Sequence, residues 1–387
     1  MSTIKVQQIQ HTASSTNAIS LASDGTCTAN ITNSLSNRRI NINGAMTVSQ
    51  RDSTFAAIAH NAYCLDRYKF THSGSAVYTI SQSTTSPDDF ANSLKIVPTT
   101  ADTSIAGADY TRLVTVLEGQ DLQQFAKGTS SAKKAVLSFY VKSNKTGTYS
   151  LLYFDSNNNR QFNATYTVSN TNWNRYTIPI AADTTGAFTN NNGASLEIYW
   201  HLVAGSNRTS GSLDATWNSY TATKEAAGHN VNFADSTSNE FYITGIQLEV
   251  DNTGSGKPTD FEFLSFGDEL RRCQRYYQVL VEQTGLGTSA NTKVVVMGVQ
   301  YNGTVAYAVA QFPVTMRTDP SLDQNISSDI YLSIGNNGNN GGFDSFTLAR
   351  PSPQTGELSW LSNRLQGGAV WVRTNGQNSK VAFQAEL

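Results

Sequence analysis

Asp260-Phe-Glu-Phe-Leu-Ser-Phe-Gly-Asp-Glu-Leu-Arg-Arg-Cys-Gln-Arg-Tyr-Tyr277 divides this chain into two parts. Phe266, Leu270, Cys273 and Tyr277 recur at intervals of four, three and four residues, the period of one amphipathic helix face. The sequence on either side alternates polar and apolar with period two instead. A short helical connector over residues 266–280 is therefore expected to join two β-rich regions.

Upstream, clusters of Gly, Asn, Asp and Pro interrupt the alternation at the spacing of strand-joining turns, which points to a sandwich or barrel. Candidate strands run over 77–81, 94–97, 135–142, 149–154, 162–168, 176–180, 196–203 and 241–250, enough for a jelly roll of two antiparallel sheets. A short helix is expected around 54–62. Downstream a second series covers 293–299, 305–312, 330–334, 343–348, 369–373 and 380–385, with the Asn- and Gly-rich stretch Gly335–Gly342 as a surface loop. Residues 1–40 hold too few apolar side chains to bury a core of their own. The fold class is all-β: a jelly-roll β-sandwich over 41–265, the helical connector, and a smaller C-terminal β domain over 281–387.

Several motifs in order resemble a module of tailed-bacteriophage tail fibre and spike proteins. They are Ile42-Asn-Gly-Ala-Met-Thr-Val-Ser-Gln-Arg51, Leu65-Asp-Arg-Tyr-Lys-Phe70, Leu117-Glu-Gly-Gln-Asp-Leu-Gln-Gln124, Phe241-Tyr-Ile-Thr-Gly-Ile-Gln-Leu-Glu249 and the opening stretch. In that family they belong to a carbohydrate-binding-module-like jelly roll. The resemblance implies a virion tail protein made in the host cytoplasm, with residues 1–40 an extended segment that attaches to other virion tail proteins. It also implies a homotrimer, with Phe266, Leu270, Cys273 and Tyr277 facing the threefold axis. No cofactor is expected, although related jelly rolls often hold a structural calcium.

Bulk properties narrow the function classes. Charged residues are 14% of 387, well below the roughly 25% of ordinary soluble proteins, so the polar surface is built from hydroxyls and amides. A net charge of −2 gives no basic field for nucleic acid. No stretch is apolar enough to suggest membrane insertion. Cys27, Cys64 and Cys273 are odd in number and far apart, which argues against both a disulfide scaffold and a metal-binding pair.

Catalytic signatures are lacking. There is no G-x-S-x-G elbow, H-E-x-x-H helix or Walker loop, and the five histidines form no ligand pair. Asp155-Ser-Asn-Asn-Asn-Arg160 imitates a calcium loop but lacks its turn glycine and closing glutamate; a hairpin turn is the simpler reading. Acids in or beside the candidate strands include Asp155, Glu197 and Asp214, and a glycosidase would need two carboxylates brought together.

Binding is better signalled, because sugar rings stack on Trp and Tyr while their hydroxyls pair with Asn, Asp and Arg. Arg208, Trp217 and Tyr220 make one candidate platform. Tyr331, Trp360, Arg364, Trp371 and Arg373 make the other, in the C-terminal region where fibres of this kind meet their receptors. A structural role for Trp217, and core positions for Tyr331 and Trp371, stay open as alternatives. The expected function is adsorption through a host surface glycan or protein without turnover. The rivals are a polysaccharide depolymerase and a purely structural fibre or decoration protein.

Overall fold

The computed structural model describes residues 6–10, 12–13, 15, 19–25, 27–29, 37–214, 216–252, 254–283, 292–335, 340–362, 366–375 and 378–387. Arg364 and the middle of the 335–342 loop lie outside them.

Strands β1 (Gln8–Ile9), β2 (Ile19–Leu21) and β3 (Cys27–Ala29) form a small antiparallel sheet within the expected attachment segment. The larger unit follows with β4 (Thr54–Phe55), β5 (Ala62–Tyr63), β6 (Tyr68–His72), β7 (Val77–Ser83), β8 (Ser93–Thr100), β9 (Tyr110–Glu118), β10 (Ala135–Ser143), β11 (Gly147–Asp155), β12 (Arg160–Val168), β13 (Asn174–Ile180), β14 (Ala194–Ala204), the single turn α1 (Ser206–Thr209), β15 (Asn218–Ser219) and β16 (Phe241–Val250). Two antiparallel sheets result, ordered β13-β10-β16-β8-β7-β4 and β15-β12-β11-β14-β9-β6-β5. Their inner faces share one core: Phe139 meets Tyr166 and Trp200 of the opposite sheet edge to face, at 5.1 and 6.0 Å. The helix expected over 54–62 is replaced by the two short edge strands β4 and β5. Both pair with neighbours that complete the sheets, which outweighs the weak helical propensity of a short Ala-rich run.

Helix α2 (Phe266–Gln274) begins at Ser265, whose hydroxyl accepts from the Asp268 amide at 3.2 Å. Beyond it lie β17 (Tyr277–Gln283), β18 (Val294–Gln300), β19 (Val305–Gln311), β20 (Ser321–Gln324), β21 (Tyr331–Gly335), β22 (Asn340–Phe343), β23 (Thr347–Pro351), β24 (Thr355–Leu361), β25 (Ala369–Thr374) and β26 (Ser379–Gln384). They form a three-stranded sheet β17-β26-β20 and a seven-stranded sheet β22-β21-β25-β18-β19-β24-β23 around a second hydrophobic core.

The motifs, with contacts between residues up to 227 positions apart, converge on one buried polar network at the seam between the two units. Arg39 is ion-paired to Glu269 of α2, and Glu269 also accepts from the Asn43 amide at 2.6 Å. Asp66 accepts from Gln50 N at 2.7 Å and Gln50 Nε2 at 2.6 Å, and the same Nε2 reaches Tyr277 O at 2.8 Å. Glu118 accepts two bonds from Arg275, at 2.7 and 2.8 Å, and one from Tyr276 Oη at 2.5 Å. Arg67 stacks 3.4 Å over the Tyr276 ring and pairs with Glu386, which Arg51 holds from the other side at 3.0 Å. Arg317 donates to Ala385 O and Glu386 O, both at 2.7 Å. The end of the second unit is thus plugged into the first.

This seam corrects the expected threefold face. Cys273 and Tyr277 are fully covered by their own chain: Cys273 packs with Ile42, Val48 and Tyr276, while Tyr277 Oη donates to Asp323 at 2.6 Å. Leu270 packs against the same cluster, and only Phe266 is well exposed. The helical period is that of a helix buried against its own jelly roll, and a period alone does not say whose surface covers it.

Candidate functional site

Arg208 and Tyr220 meet at Glu225, whereas Trp217 packs into the main core and Tyr220 into a separate cluster, and the polar groups of all three are engaged within the chain. Buried Glu225 pairs with Arg112 and Arg208 and accepts from Tyr220 Oη at 2.9 Å. The Arg208 guanidinium lies 4.3 Å over the Tyr110 ring. Half-buried Trp217 donates to Ala181 O at 2.9 Å and leans on Phe162. Trp217→Ala is therefore expected to cost about 2 kcal/mol of stability, near the lower end for buried large-to-small changes. Urea unfolding measures it, with saccharide binding unchanged.

Other sequence candidates are structural too. Tyr331 is buried and donates to Lys380 O at 2.9 Å; Trp360 is buried and donates to Ser333 Oγ at 3.2 Å. Trp371 is 38% exposed, and Arg373 is half-buried beside it on the same strand. The 155–160 segment is the hairpin turn between β11 and β12. Asp155 is occupied by Lys127 Nζ at 2.6 Å and by the amides of Asn157 and Asn158 at 3.0 and 3.1 Å, a donor set that does not fit a cation. Glu197 accepts from Tyr199 Oη, and Asp214 holds Lys224. Among the described residues no group of three or more His, Cys, Asp or Glu could hold a metal ion, and no helix is long and apolar enough to cross a membrane.

Two buried histidines lie behind the Glu225 cluster. His229 sits between the Ser150 amide and Val231 O, at 3.2 and 2.8 Å, which suits a neutral ring accepting at Nδ1 and donating at Nε2. Burial pushes its pKa down to about 4. His201 is fully buried without a hydrogen-bond partner, and burial, reinforced by Arg112, pushes it well below the usual histidine range.

The second unit holds an open cleft of about 920 Å³. Its walls come from opposite ends of the seven-stranded sheet: Ser333 of β21 and Gly341–Phe343 of β22 on one side, and Val305 of β19, Thr347 of β23 and Ser359–Leu361 of β24 on the other. They meet because the sheet curls. Trp360 on β24 bonds Ser333 on β21 although three strands separate them in the order, and the Ser333 and Ser362 hydroxyls are 3.2 Å apart. The floor is aromatic, with Trp360 stacked on Phe343 at 5.9 Å and Phe346 behind. Gln324 of β20 fixes Phe346, donating to its carbonyl at 2.7 Å and accepting from its amide at 2.9 Å.

Among the described residues the rim is polar and almost uncharged: Thr304, Ser345, Thr347, Ser359 and the backbone of 341–342, with Asp344 the one carboxylate in the lining. Asp344 accepts from the Asp329 amide at 2.8 Å. At Gly342 a Cβ would meet Asp329 Oδ1 at 1.9 Å, so any larger residue at this wall would have to displace the Asp329 side chain. The cleft offers neutral donors and acceptors to a hydroxyl-rich ligand, and its buried rings give it shape. Sequence reasoning found Trp360 here and missed the hydroxyls, because isolated Ser and Thr in strands carry no signature until the sheet curls.

No protein-family model and no curated protein matches the chain. Solved structures similar to it include the enzymatically active domain of tailspike protein 4 of bacteriophage CBA120, at 10% identity and TM-score 0.28, covering 48% of this chain and 19% of that one. The family 11 carbohydrate-binding module of a cellulosomal cellulase of Clostridium thermocellum matches at 11% identity and TM-score 0.27, covering 51% and 94%. A xylan-binding family 22 module from Paenibacillus barcinonensis matches at 11% identity and TM-score 0.25, covering 51% and 92%. These distant likenesses establish neither a family nor an activity.

Proposed function

We propose that this chain is a non-enzymatic phage tail fibre or spike component that holds a neutral host-surface saccharide in the cleft of its second β unit. The observation that carries the reading is the cleft's lining, hydroxyls and backbone groups over an aromatic floor with one carboxylate at the rim. The ordered motifs of residues 42–277 support the virion assignment. In this reading residues 1–40 join other tail proteins, and the protein works on the virion after synthesis in the host cytoplasm.

Hydrolysis by paired carboxylates needs two acids roughly 5 to 10 Å apart. Asp344 is the sole acid of the lining among the described residues, and Asp155, Glu197 and Asp214 are each bonded elsewhere. This favours binding over the depolymerase alternative. Thr347 is exposed at the rim, so Thr347→Trp fills the cleft without disturbing the core. It is expected to weaken both saccharide binding and competition with phage adsorption at least about tenfold, a loss of about 1.4 kcal/mol. Unchanged adsorption blocking would assign recognition to another surface, and release of reducing ends from host polysaccharide would restore the depolymerase.

A further inference from the structure

The outer face of the six-stranded sheet in the first unit carries a row of rings and ammonium groups. Register sets it: Tyr242 of β16 stands opposite Lys142 of β10 on one side and Lys95 of β8 on the other. Their Nζ atoms lie 5.9 and 5.2 Å from the centre of the Tyr242 ring. Trp173, one residue before β13, reaches the same row, its ring 6.2 Å from that of Tyr242 and edge to face with it. Tyr242 itself is buried, so it props Trp173 and carries the lysines rather than meeting solvent.

The two lysines differ in what they leave open. Lys95 is ion-paired to Glu240 at 2.7 Å, and Glu240 also accepts from Tyr242 Oη at 3.0 Å. Lys142 has no ion-pair or hydrogen-bond partner among the described residues, and the Trp173 indole N–H has none either. Both side chains are half-buried and reach the surface. Trp173 differs in this from Trp217 and Trp360, whose indole groups are spent inside the chain. On the same face Arg175 of β13 is bonded only to neutral oxygens, Ser138 Oγ at 3.2 Å and Thr259 O at 2.7 Å. The row with Arg175 thus holds three cations, and Glu240 is the one acid bonded among them.

We infer that this row is a second saccharide site, for a polysaccharide whose sugars carry carboxylates. The C–H face of one ring would stack on Trp173 while its carboxylate takes the open ammonium of Lys142, and the chain would run along the row toward Lys95. Adjacent strands are about 4.8 Å apart, close to the advance of one sugar residue. Nucleic acid fits less well, because a phosphate backbone is held by several unpaired cations. The site belongs to the other unit from the cleft, and the inference stands whether or not the cleft holds a neutral saccharide.

Titration of the full chain with short oligomers of galacturonate and of mannuronate, followed by backbone amide resonances, tests it. At least one should shift Lys142, Trp173 and Tyr242, and added salt should weaken the binding, as screening of exposed charges requires. Lys142→Met should weaken it at least about tenfold with an unchanged melting temperature, Lys142→Arg should retain it, and methyl esterification of the oligomer should cost as much as Lys142→Met. The inference is overturned if neither uronate shifts this row, if the ester binds as well as the acid, or if a single-stranded oligonucleotide binds the row more tightly than both uronates.

Discussion

Arg67→Met is expected to lower the stability of the chain by about 3 to 5 kcal/mol, the range for breaking one side of a buried ion pair. Arg67 is 2% exposed, paired with Glu386, bonded to Val116 O at 2.6 Å and stacked on Tyr276. Its loss leaves Glu386 with Arg51 alone and the Val116 carbonyl without this donor. Because Glu386 ends the second unit and Arg67 belongs to the first, the substitution should also uncouple them, so that a single urea transition becomes two. Glu386→Leu alone should destabilise comparably, and the double variant should cost less than the sum, as partners in one network do. A loss below about 1 kcal/mol with one transition retained would mean that the seam is held elsewhere. A shortened chain ending near Tyr277 would strand Arg51 and Arg67, so it is unsuited to locating the receptor site.

Acid should destabilise the larger unit before its carboxylates titrate. His229 is held at about 4 in the folded chain by burial, against about 6.5 when unfolded. The unfolded chain therefore takes up the proton first as pH falls. The stability tied to His229 is fully present above pH 6.5, is lost between 6.5 and about 4, and amounts to roughly 3 kcal/mol. His201, pushed down further by burial, acts in the same direction. Asp66 opposes them above the usual carboxylate range, because burial raises its carboxyl and the folded chain takes up that proton before the unfolded chain does. Urea midpoints at stepped pH read the slope, and His229→Gln should flatten it. A flat profile from 6.5 to 4 in the wild type would show that water reaches both rings.

Much of the fold could be read from the residues. Alternation in Leu137-Ser-Phe-Tyr-Val141 and Leu196-Glu-Ile-Tyr-Trp200 marks the central strands β10 and β14, and the period change at Phe266 marks α2. Strands such as β6 and β9 escaped notice because Arg112, Thr115 and Lys69 blur the two faces, being bonded or stacked within the sheet rather than solvated. The site was less legible. Trp217, Tyr331 and Trp360 look like binding aromatics by type, yet each spends its polar atom on an intrachain acceptor. The motif acids and arginines look catalytic or basic in isolation; only the fold shows Glu118, Arg275, Arg67 and Glu386 neutralising one another. The cleft depends on a curl that brings β21 beside β24, a long-range property no local pattern encodes.

The central claim, saccharide binding without turnover in the second unit, is tested most directly by following backbone amide resonances of the full chain during titration with a panel of neutral oligosaccharides. The account predicts shifts at Ser333, Gly342–Thr347 and Ser359–Ser362, with the ligand recovered intact. Shifts confined to the jelly roll, or none for any saccharide while the protein still blocks adsorption, would contradict it.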